Sequence, residues 1–160
     1  MRIDQFVRQP SRPINVLLVD DNDMDNEFHK IVIEDTDLAD SIAVAFNGKE
    51  AIDTLQATAG TPEEPTLILL DINMPVMNGF EFLEALKDLR SKLSLQSIVI
   101  VMLTTSLLDE DRYRTESTPG LKGYMHKPLT DESFREIVFA YFCDEDGTGT
   151  SPAPQKNTPP

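Results

Sequence analysis

Residues 67–83 read LILLDINMPVMNGFEFL and join an apolar strand to a helix through a loop that begins with an acid. The run LILL is continuous Leu and Ile, which is typical of a strand covered on both faces. The stretch Phe80–Arg90 then carries apolar residues at helical spacing, namely Phe82, Leu83, Leu86 and Leu89. A strand followed by an amphipathic helix is the repeating unit of parallel sheets. The stretch therefore predicts one strand–helix unit with Asp71 at its turn.

The same unit occurs four more times along the chain. The other strand candidates are Ile14–Asp20, Ser41–Phe46, Ile98–Thr104 and Leu121–His126. The first intervening helix should begin at Asn22 or Asp23 and bury a stripe formed by Met24, Phe28, Ile31 and Val32. The remaining helices are predicted over Gly48–Ala59, Leu107–Ser117 and Ser133–Cys143. This alternation indicates an α/β fold, a parallel sheet with right-handed crossovers and helices on both faces.

Length and composition indicate one globular domain. We expect a flexible N-terminal extension over residues 1–12, a folded domain over 13–143 and a disordered tail over 144–160, which is rich in Pro, Gly, Ser and Thr. Residues 144–160 are too few to form an output domain. The sequence shows no membrane span and no secretory signal, and its single cysteine excludes an internal disulfide, which together predict a cytoplasmic protein. The net charge of −14 argues against direct nucleic-acid binding, because an acidic domain repels a phosphate backbone.

Polar residues stand at the carboxyl ends of four predicted strands, where the active crevice of an open parallel sheet lies. They are Asp20, Asp21, Asp71, Thr104, Thr105 and Lys127. Three carboxylates in one crevice repel each other unless a cation lies among them, and Mg²⁺ suits a site with few protein ligands. A lysine and a threonine hydroxyl can donate to phosphoryl oxygens. The sequence thus predicts a site that holds a phosphoryl group with a metal, an ammonium and a hydroxyl.

Four motifs in this order resemble the receiver domains of response regulators. They are LLVDDN (17–22), LILLDINMPVMNGFEFL (67–83), VMLTTS (101–106) and GYMHKPL (123–129). The resemblance covers residues 14–142, and the combination of motifs is highly specific. It implies the doubly wound, flavodoxin-like fold with strand order 2-1-3-4-5. It also implies a stand-alone receiver domain that acts in two-component signalling and phosphorelay.

The resemblance implies the roles of the residues at the site. Asp71 would be the phosphoacceptor and would become an aspartyl phosphate. Asp21 would bind Mg²⁺ directly, Asp20 would bind it through water, and the backbone carbonyl of Asn73 would complete the protein ligands. Lys127 would pair with Asp71 and later with the phosphoryl oxygens. As a phosphoacceptor, such a domain promotes only its own phosphorylation and dephosphorylation and is not an enzyme.

Other positions match the parts of the family that respond to phosphorylation. Thr104 would be the switch hydroxyl, and Thr105 stands where many receivers have alanine, which narrows the space around the switch. Tyr124 matches the aromatic residue that turns inward on activation. Three further residues would shape the site: Pro75 and Gly79 in the loop after Asp71, and Pro128 after a cis peptide bond. The polar stretch Arg114–Gly120 departs from the family and predicts a short, mobile or displaced fourth helix. Asn73 and Ser106 occupy positions that tune dephosphorylation in the family.

The resemblance also implies partners. The phosphoryl donor would be a sensor histidine kinase, a photoreceptor or hybrid kinase included, or a phosphotransfer protein. The output would pass through protein contacts, with a downstream partner or a second copy bound by the face formed by helix 4, strand 5 and helix 5. Relay of the phosphoryl group to another protein is the other route.

Three alternatives remain open from the residues. A Mg²⁺-dependent aspartyl-phosphate hydrolase could share the topology, but its D-x-D-x-T motif belongs on the first strand, where this chain has Asp20-Asp21-Asn22. A nucleotide or flavin binder would need glycines in the loop after the first strand, and that loop has none. A receiver-like module could also bind a partner without phosphorylation, although the full set of site residues argues against it.

Overall fold

The computed structural model describes residues 10–93, 97–105 and 108–143. Its strands are β1 (Asn15–Val19), β2 (Ser41–Ala45), β3 (Leu67–Leu70), β4 (Val99–Thr104) and β5 (Gly123–His126). Its helices are α1 (Asp23–Thr36), α2 (Gly48–Thr58), α3 (Gly79–Leu93), α4 (Asp109–Glu116) and α5 (Asp131–Tyr141). The strands form one parallel sheet in the order β2-β1-β3-β4-β5, which confirms the flavodoxin-like fold. None of the helices in the described part of the chain has the length and apolar character of a membrane span.

The sheet separates two apolar cores. Strands β1, β3 and β4 are buried along their whole length, as their continuous apolar sequences predict. Successive side chains point to opposite faces, so Leu17 and Ile68 pack in one core with α2 and α3. Leu18 and Leu69 pack in the other core with α1 and α5. Helices on both faces of the sheet thus hold the strands in their register. The loops at the carboxyl edge of the sheet are left uncovered and can form a site.

Helix α1 buries a different face from the one predicted. Met24, Phe28 and Ile31 are 81%, 49% and 53% exposed, so the expected apolar stripe is wrong for these three residues, and only its fourth member, Val32, packs against the core. The buried residues are Asn26, His29, Ile33 and Thr36, which share the face at spacings of three and four residues. Polar side chains are tolerated here because they form hydrogen bonds. The Nδ2 of Asn26 donates to the backbone oxygen of Asp20 at 2.9 Å, and the hydroxyl of Thr36 donates to the backbone oxygen of Ile33 at 2.6 Å. Asn22 is the N-cap, as expected.

Helix α4 is short, in keeping with the polar sequence that predicted it. It spans Asp109–Glu116, and Leu108 at its N-cap position has no side-chain oxygen that could cap the helix. Two of its arginines lie over aromatic rings of the core. The guanidinium of Arg114 is 3.9 Å from the ring centroid of Phe80, and the guanidinium of Arg112 is 5.7 Å from the ring centroid of Tyr124. These contacts link α4 to α3 and to β5.

The chain before β1 contacts the end of α5. Pro10 forms an antiparallel bridge with Cys143, and the backbone N–H of Ser11 donates to the oxygen of Phe142 at 2.7 Å. The guanidinium of Arg12 donates to the backbone oxygen of Ser97 at 2.7 Å and lies over the Phe142 ring. Residues 10–12, which we assigned to the flexible extension, are thus bound to the domain. Residues 1–9, the tail 144–160 and Ser106 lie outside the described residues.

Candidate functional site

The parallel register brings the ends of β1 and β3 together. Val19 pairs with Leu70, and the backbone N–H of Asp71 donates to the oxygen of Val19 at 2.9 Å. The next residue of each strand therefore projects into the same crevice. One carboxylate oxygen from each of Asp20, Asp21 and Asp71 lies within 4.8 Å of the others. Asp20 and Asp71 are buried and Asp21 is exposed, so the cluster opens to solvent on one side.

The electrostatics of this cluster favour a cation. Burial raises the pKa of Asp71 to about 6, and the charges of Asp20 and Asp21 add to the rise, while Lys127 and a backbone hydrogen bond from Ile72 oppose it. The raised pKa shows that burial and the two neighbouring carboxylates outweigh the charge of Lys127, so a further cation among the three carboxylates would offset their repulsion. Three oxygen donors around one open position are the donor set of a hard divalent cation, so the residues fit Mg²⁺. The triad is typical of the Mg²⁺ site of receiver domains.

Lys127 supplies the positive charge at the inner side of the crevice. Its Nζ lies 2.5 Å from Oδ2 of Asp20, 3.1 Å from Oδ2 of Asp25 and 3.6 Å from Oδ1 of Asp71. Burial alone would lower the pKa of Lys127, but the hydrogen bond to Asp20 and the charge of Asp71 raise it above its ordinary value. The ammonium is therefore charged and bonded most closely to Asp20. The pairing with Asp71 that the resemblance implied is present at a longer distance.

Asp25 is the site residue that the sequence reasoning missed. It lies in the first turn of α1, where only Asn22 or Asp23 was expected to act, as the N-cap, and Asp25 was given no role. The usable signal was its position: the helix that follows β1 begins at the carboxyl edge of the sheet, so its first turn lies beside the crevice. One turn further on, His29 is buried, and burial together with the charge of Lys127 lowers its pKa. His29 is therefore neutral near pH 7.

The predicted switch residues lie on β4 and β5. Thr104 is the last residue of β4 and is buried, whereas Thr105 is exposed. The backbone N–H of Lys127 donates to the oxygen of Thr104 at 2.9 Å, which joins the ends of the two strands. Tyr124 pairs with Met102 across the strands, and its ring is buried in the core shared with α2 and α3.

The loops beside the site are shaped by close backbone contacts. Gly79 begins α3, and a Cβ atom at this position would lie 2.4 Å from the backbone oxygen of Asp71. Glycine is required here because the backbone of Asp71 approaches too closely for a side chain. The backbone N–H of Met77 donates to the oxygen of Pro75 at 2.6 Å, which folds the loop around Val76 at φ 67°. The peptide bond between Lys127 and Pro128 is cis, as expected.

The chain belongs to the response regulator receiver domain family, whose model matches residues 16–139. It is therefore a phosphoacceptor signalling module of two-component systems and not a catalytic enzyme. Receiver domains work with histidine kinases, and the acidic pocket and Lys127 described above are the site that this class uses.

Individual relatives agree with this assignment. The chain is 32% identical over 133 residues to a probable methanogenesis regulatory protein, FilR2, of Methanothrix harundinacea, covering 82% of this chain and 83% of that one. It is 30% identical to the polar-differentiation response regulator DivK of Brucella anthropi, covering 82% and 98% of the two chains. A two-component response regulator of Cytophaga hutchinsonii superposes with a TM-score of 0.71 at 29% identity, covering 79% and 95%. Three other relatives are longer proteins, of which the chain spans 50–52%.

Proposed function

We propose that this protein accepts a phosphoryl group on Asp71 from a phosphohistidine donor in a Mg²⁺-dependent reaction. One observation carries the proposal: a buried carboxylate at the end of β3 shares a pocket with two further carboxylates and a buried ammonium. An aspartyl-phosphate hydrolase of this topology would carry D-x-D-x-T on the first strand, where this chain has Asp20-Asp21-Asn22, and the loop after β1 has no glycine for a nucleotide site. The positions of Asp20, Asp21, Asp71 and Lys127 support the roles that the family resemblance implies for them.

In the reaction, a carboxylate oxygen of Asp71 attacks the phosphorus of the phosphohistidine. The new P–O bond forms as the P–N bond breaks, and the imidazole, which already carries a proton on its other ring nitrogen, leaves as a neutral group, so that an acyl phosphate remains on Asp71. The ammonium of Lys127 and the hydroxyl of Thr104 donate hydrogen bonds to the phosphoryl oxygens. A bound Mg²⁺, held by Asp20, Asp21, Asp71 and the carbonyl of Asn73, would neutralise charge on the group being transferred. The residues of the chain thus mainly orient the group and offset its charge.

The partners follow from this chemistry as proposals. The donor is a sensor histidine kinase or a phosphotransfer protein. That the kinase is a photoreceptor or hybrid kinase stays a prediction. A cytoplasmic location of the protein also stays a prediction. The output surface is the face of α4, β5 and α5, because Thr104, Tyr124 and Lys127 belong to β4 and β5 or to the loop after β5. A downstream protein or a second copy would bind there.

Acetyl phosphate with Mg²⁺ tests the proposal without a kinase. The parent should gain the mass of one phosphoryl group, and Asp71→Asn should gain none, because an amide cannot form the acyl phosphate. Asp23→Asn is a matched control, since Asp23 is exposed in the first turn of α1 and its loss also removes one charge. Equal adducts on Asp71→Asn and on the parent would contradict the assignment.

A further inference from the structure

Asp25 contacts the site lysine from a helix that supplies none of the residues assigned to the reaction so far. Its Oδ2 accepts a hydrogen bond from Nζ of Lys127 at 3.1 Å. The carboxylate of Asp25 is 40% exposed, whereas the lysine side chain is only 8% exposed. We propose that Asp25 is a positioning residue that holds the Lys127 ammonium toward α1, so that the oxygens of Asp71 stay open to the incoming phosphorus. This inference rests on the proposed function of Asp71.

The distances show how the ammonium is shared. An ammonium has three N–H donors, and those of Lys127 serve Asp20 at 2.5 Å and Asp25 at 3.1 Å. The distance to Oδ1 of Asp71 is 3.6 Å, which is beyond hydrogen-bond range. The lysine therefore attracts Asp71 by charge but does not occupy its lone pairs. Without Asp25, the ammonium would lose one of its two hydrogen bonds and move between Asp20 and Asp71.

The backbone around Asp25 is held in place independently of its carboxylate. Its N–H donates to Oδ1 of the N-cap residue Asn22 at 2.9 Å, and Asn26 ties the same turn to the end of β1 through its bond to Asp20. A change from carboxylate to amide at Asp25 keeps both of these bonds. Asp25→Asn should therefore fold and alter mainly the contact with Lys127.

Phosphorylation by acetyl phosphate separates this role from a general charge effect. In the reaction, Asp71 attacks phosphorus, the P–O bond to the acetyl group breaks, and acetate leaves. Removal of a negative charge near an anionic donor should by itself speed the reaction. Loss of the positioning bond should slow it, by about fivefold if the bond contributes as much as a typical intramolecular hydrogen bond. The two effects have opposite signs, so the direction of the change decides between them.

The rate of phosphorylation, measured by intact mass in excess Mg²⁺, should be about fivefold lower for Asp25→Asn than for the parent. Asp23→Asn should match the parent or exceed it. In a Lys127→Met background, Asp25→Asn should no longer slow the reaction, because the group that Asp25 positions is gone. An unchanged or faster rate for Asp25→Asn overturns the inference while leaving Asp71 as the acceptor. A parent that gains no adduct overturns both.

A spectroscopic measurement tests the contact without the reaction. In protein labelled with ¹⁵N-lysine, the ammonium signal of Lys127, assigned by its absence in Lys127→Met, should shift in Asp25→Asn and stay in place in Asp23→Asn. Melting temperatures of the variants show that each is folded. A Lys127 signal that is the same in the parent and in Asp25→Asn would contradict the positioning role.

Discussion

At the scale of single residues, the site depends on how burial and charge are balanced at Asp71. Asp71 follows β3, whose four residues are all apolar and buried. Its carboxylate is therefore shielded from water on one side and faces Asp20 and Asp21 on the other. Lys127 offsets only part of that repulsion, because its closest contact is with Asp20. The pocket therefore keeps an excess of negative charge that a divalent cation would offset.

The raised pKa of Asp71 predicts a pH dependence of stability in the metal-free protein. The carboxyl group holds its proton up to about pH 6 in the folded state, against 3.8 as its ordinary value, so it favours folding at low pH. This contribution is complete below about pH 4 and is lost as the pH rises through 6. Relative to Asp71→Asn, the parent should lose about 2 kcal/mol of unfolding free energy between pH 4 and pH 7. Urea unfolding with a chelator measures this, and parallel curves for the two proteins would contradict it.

The carboxylate cluster also predicts a stabilising effect of Mg²⁺. A ligand that binds only the folded state adds about 2.7 kcal/mol at a concentration of 100 times its Kd. The melting temperature of the parent should rise with Mg²⁺, and Asp21→Ala should abolish that rise. Without metal, Asp21→Ala should be no less stable than the parent, because it relieves repulsion on Asp71. A full Mg²⁺ shift in Asp21→Ala would show that Asp21 is not a ligand.

At the scale of elements, α1 carries two competing stripes. The apolar one contains Met24, Phe28 and Ile31, and the mixed one contains Asn26 and Ile33. Hydrophobic periodicity favours the first, but the helix begins beside the polar end of the sheet, and its orientation there is set by hydrogen bonds to Asp20 and Lys127. The buried face is therefore the one that places Asn26 and Asp25 at the site.

The orientation of α1 can be tested with two isoleucines. Ile33→Ala should cost about 2–4 kcal/mol of unfolding free energy, because Ile33 is fully buried between the helix and the sheet. Ile31→Ala removes the same atoms from an exposed position and should change stability by less than about 1 kcal/mol. Chemical denaturation of the two variants compares them directly. Equal losses would show that the predicted stripe does face the core.

At the scale of the whole molecule, much of the structure was predictable from the sequence. The apolar runs of β1, β3 and β4 predicted the sheet, and the acids, Thr104 and Lys127 at the strand ends predicted the edge where the site lies. Two features were not predictable in this way. The contacts of the Lys127 ammonium with both Asp20 and Asp25 depend on where the first turn of α1 lies relative to the sheet. Pro10 and Ser11 contact the end of α5 through backbone atoms. Such contacts do not require apolar side chains, so no hydrophobic pattern in the sequence reveals them.

Phosphorylation should alter the molecule on the side of α4, β5 and α5. A phosphoryl group brings three acceptor oxygens, which should attract the hydroxyl of Thr104 and the ammonium of Lys127. The backbones of these two residues are joined by a hydrogen bond of 2.9 Å. Arg112 connects α4 to the ring of Tyr124, so a shift in β5 reaches the weakly capped helix. Amide exchange with and without beryllofluoride should therefore change in residues 104–128 and at the start of α5. Changes confined to residues 20–30 and 71–80 would place the output elsewhere.

The most direct test of the central claim is chemical identification of the phosphorylated residue. After incubation with acetyl phosphate and Mg²⁺, borohydride reduces an acyl phosphate to an alcohol, so a phosphorylated aspartate becomes homoserine, and peptide mass spectrometry then locates it. The assignment of Asp71 as the phosphoacceptor predicts homoserine at position 71 and unmodified aspartate at positions 20, 21 and 25. Homoserine at one of those three positions, or an unmodified Asp71 in protein that has gained a phosphoryl group, would contradict it.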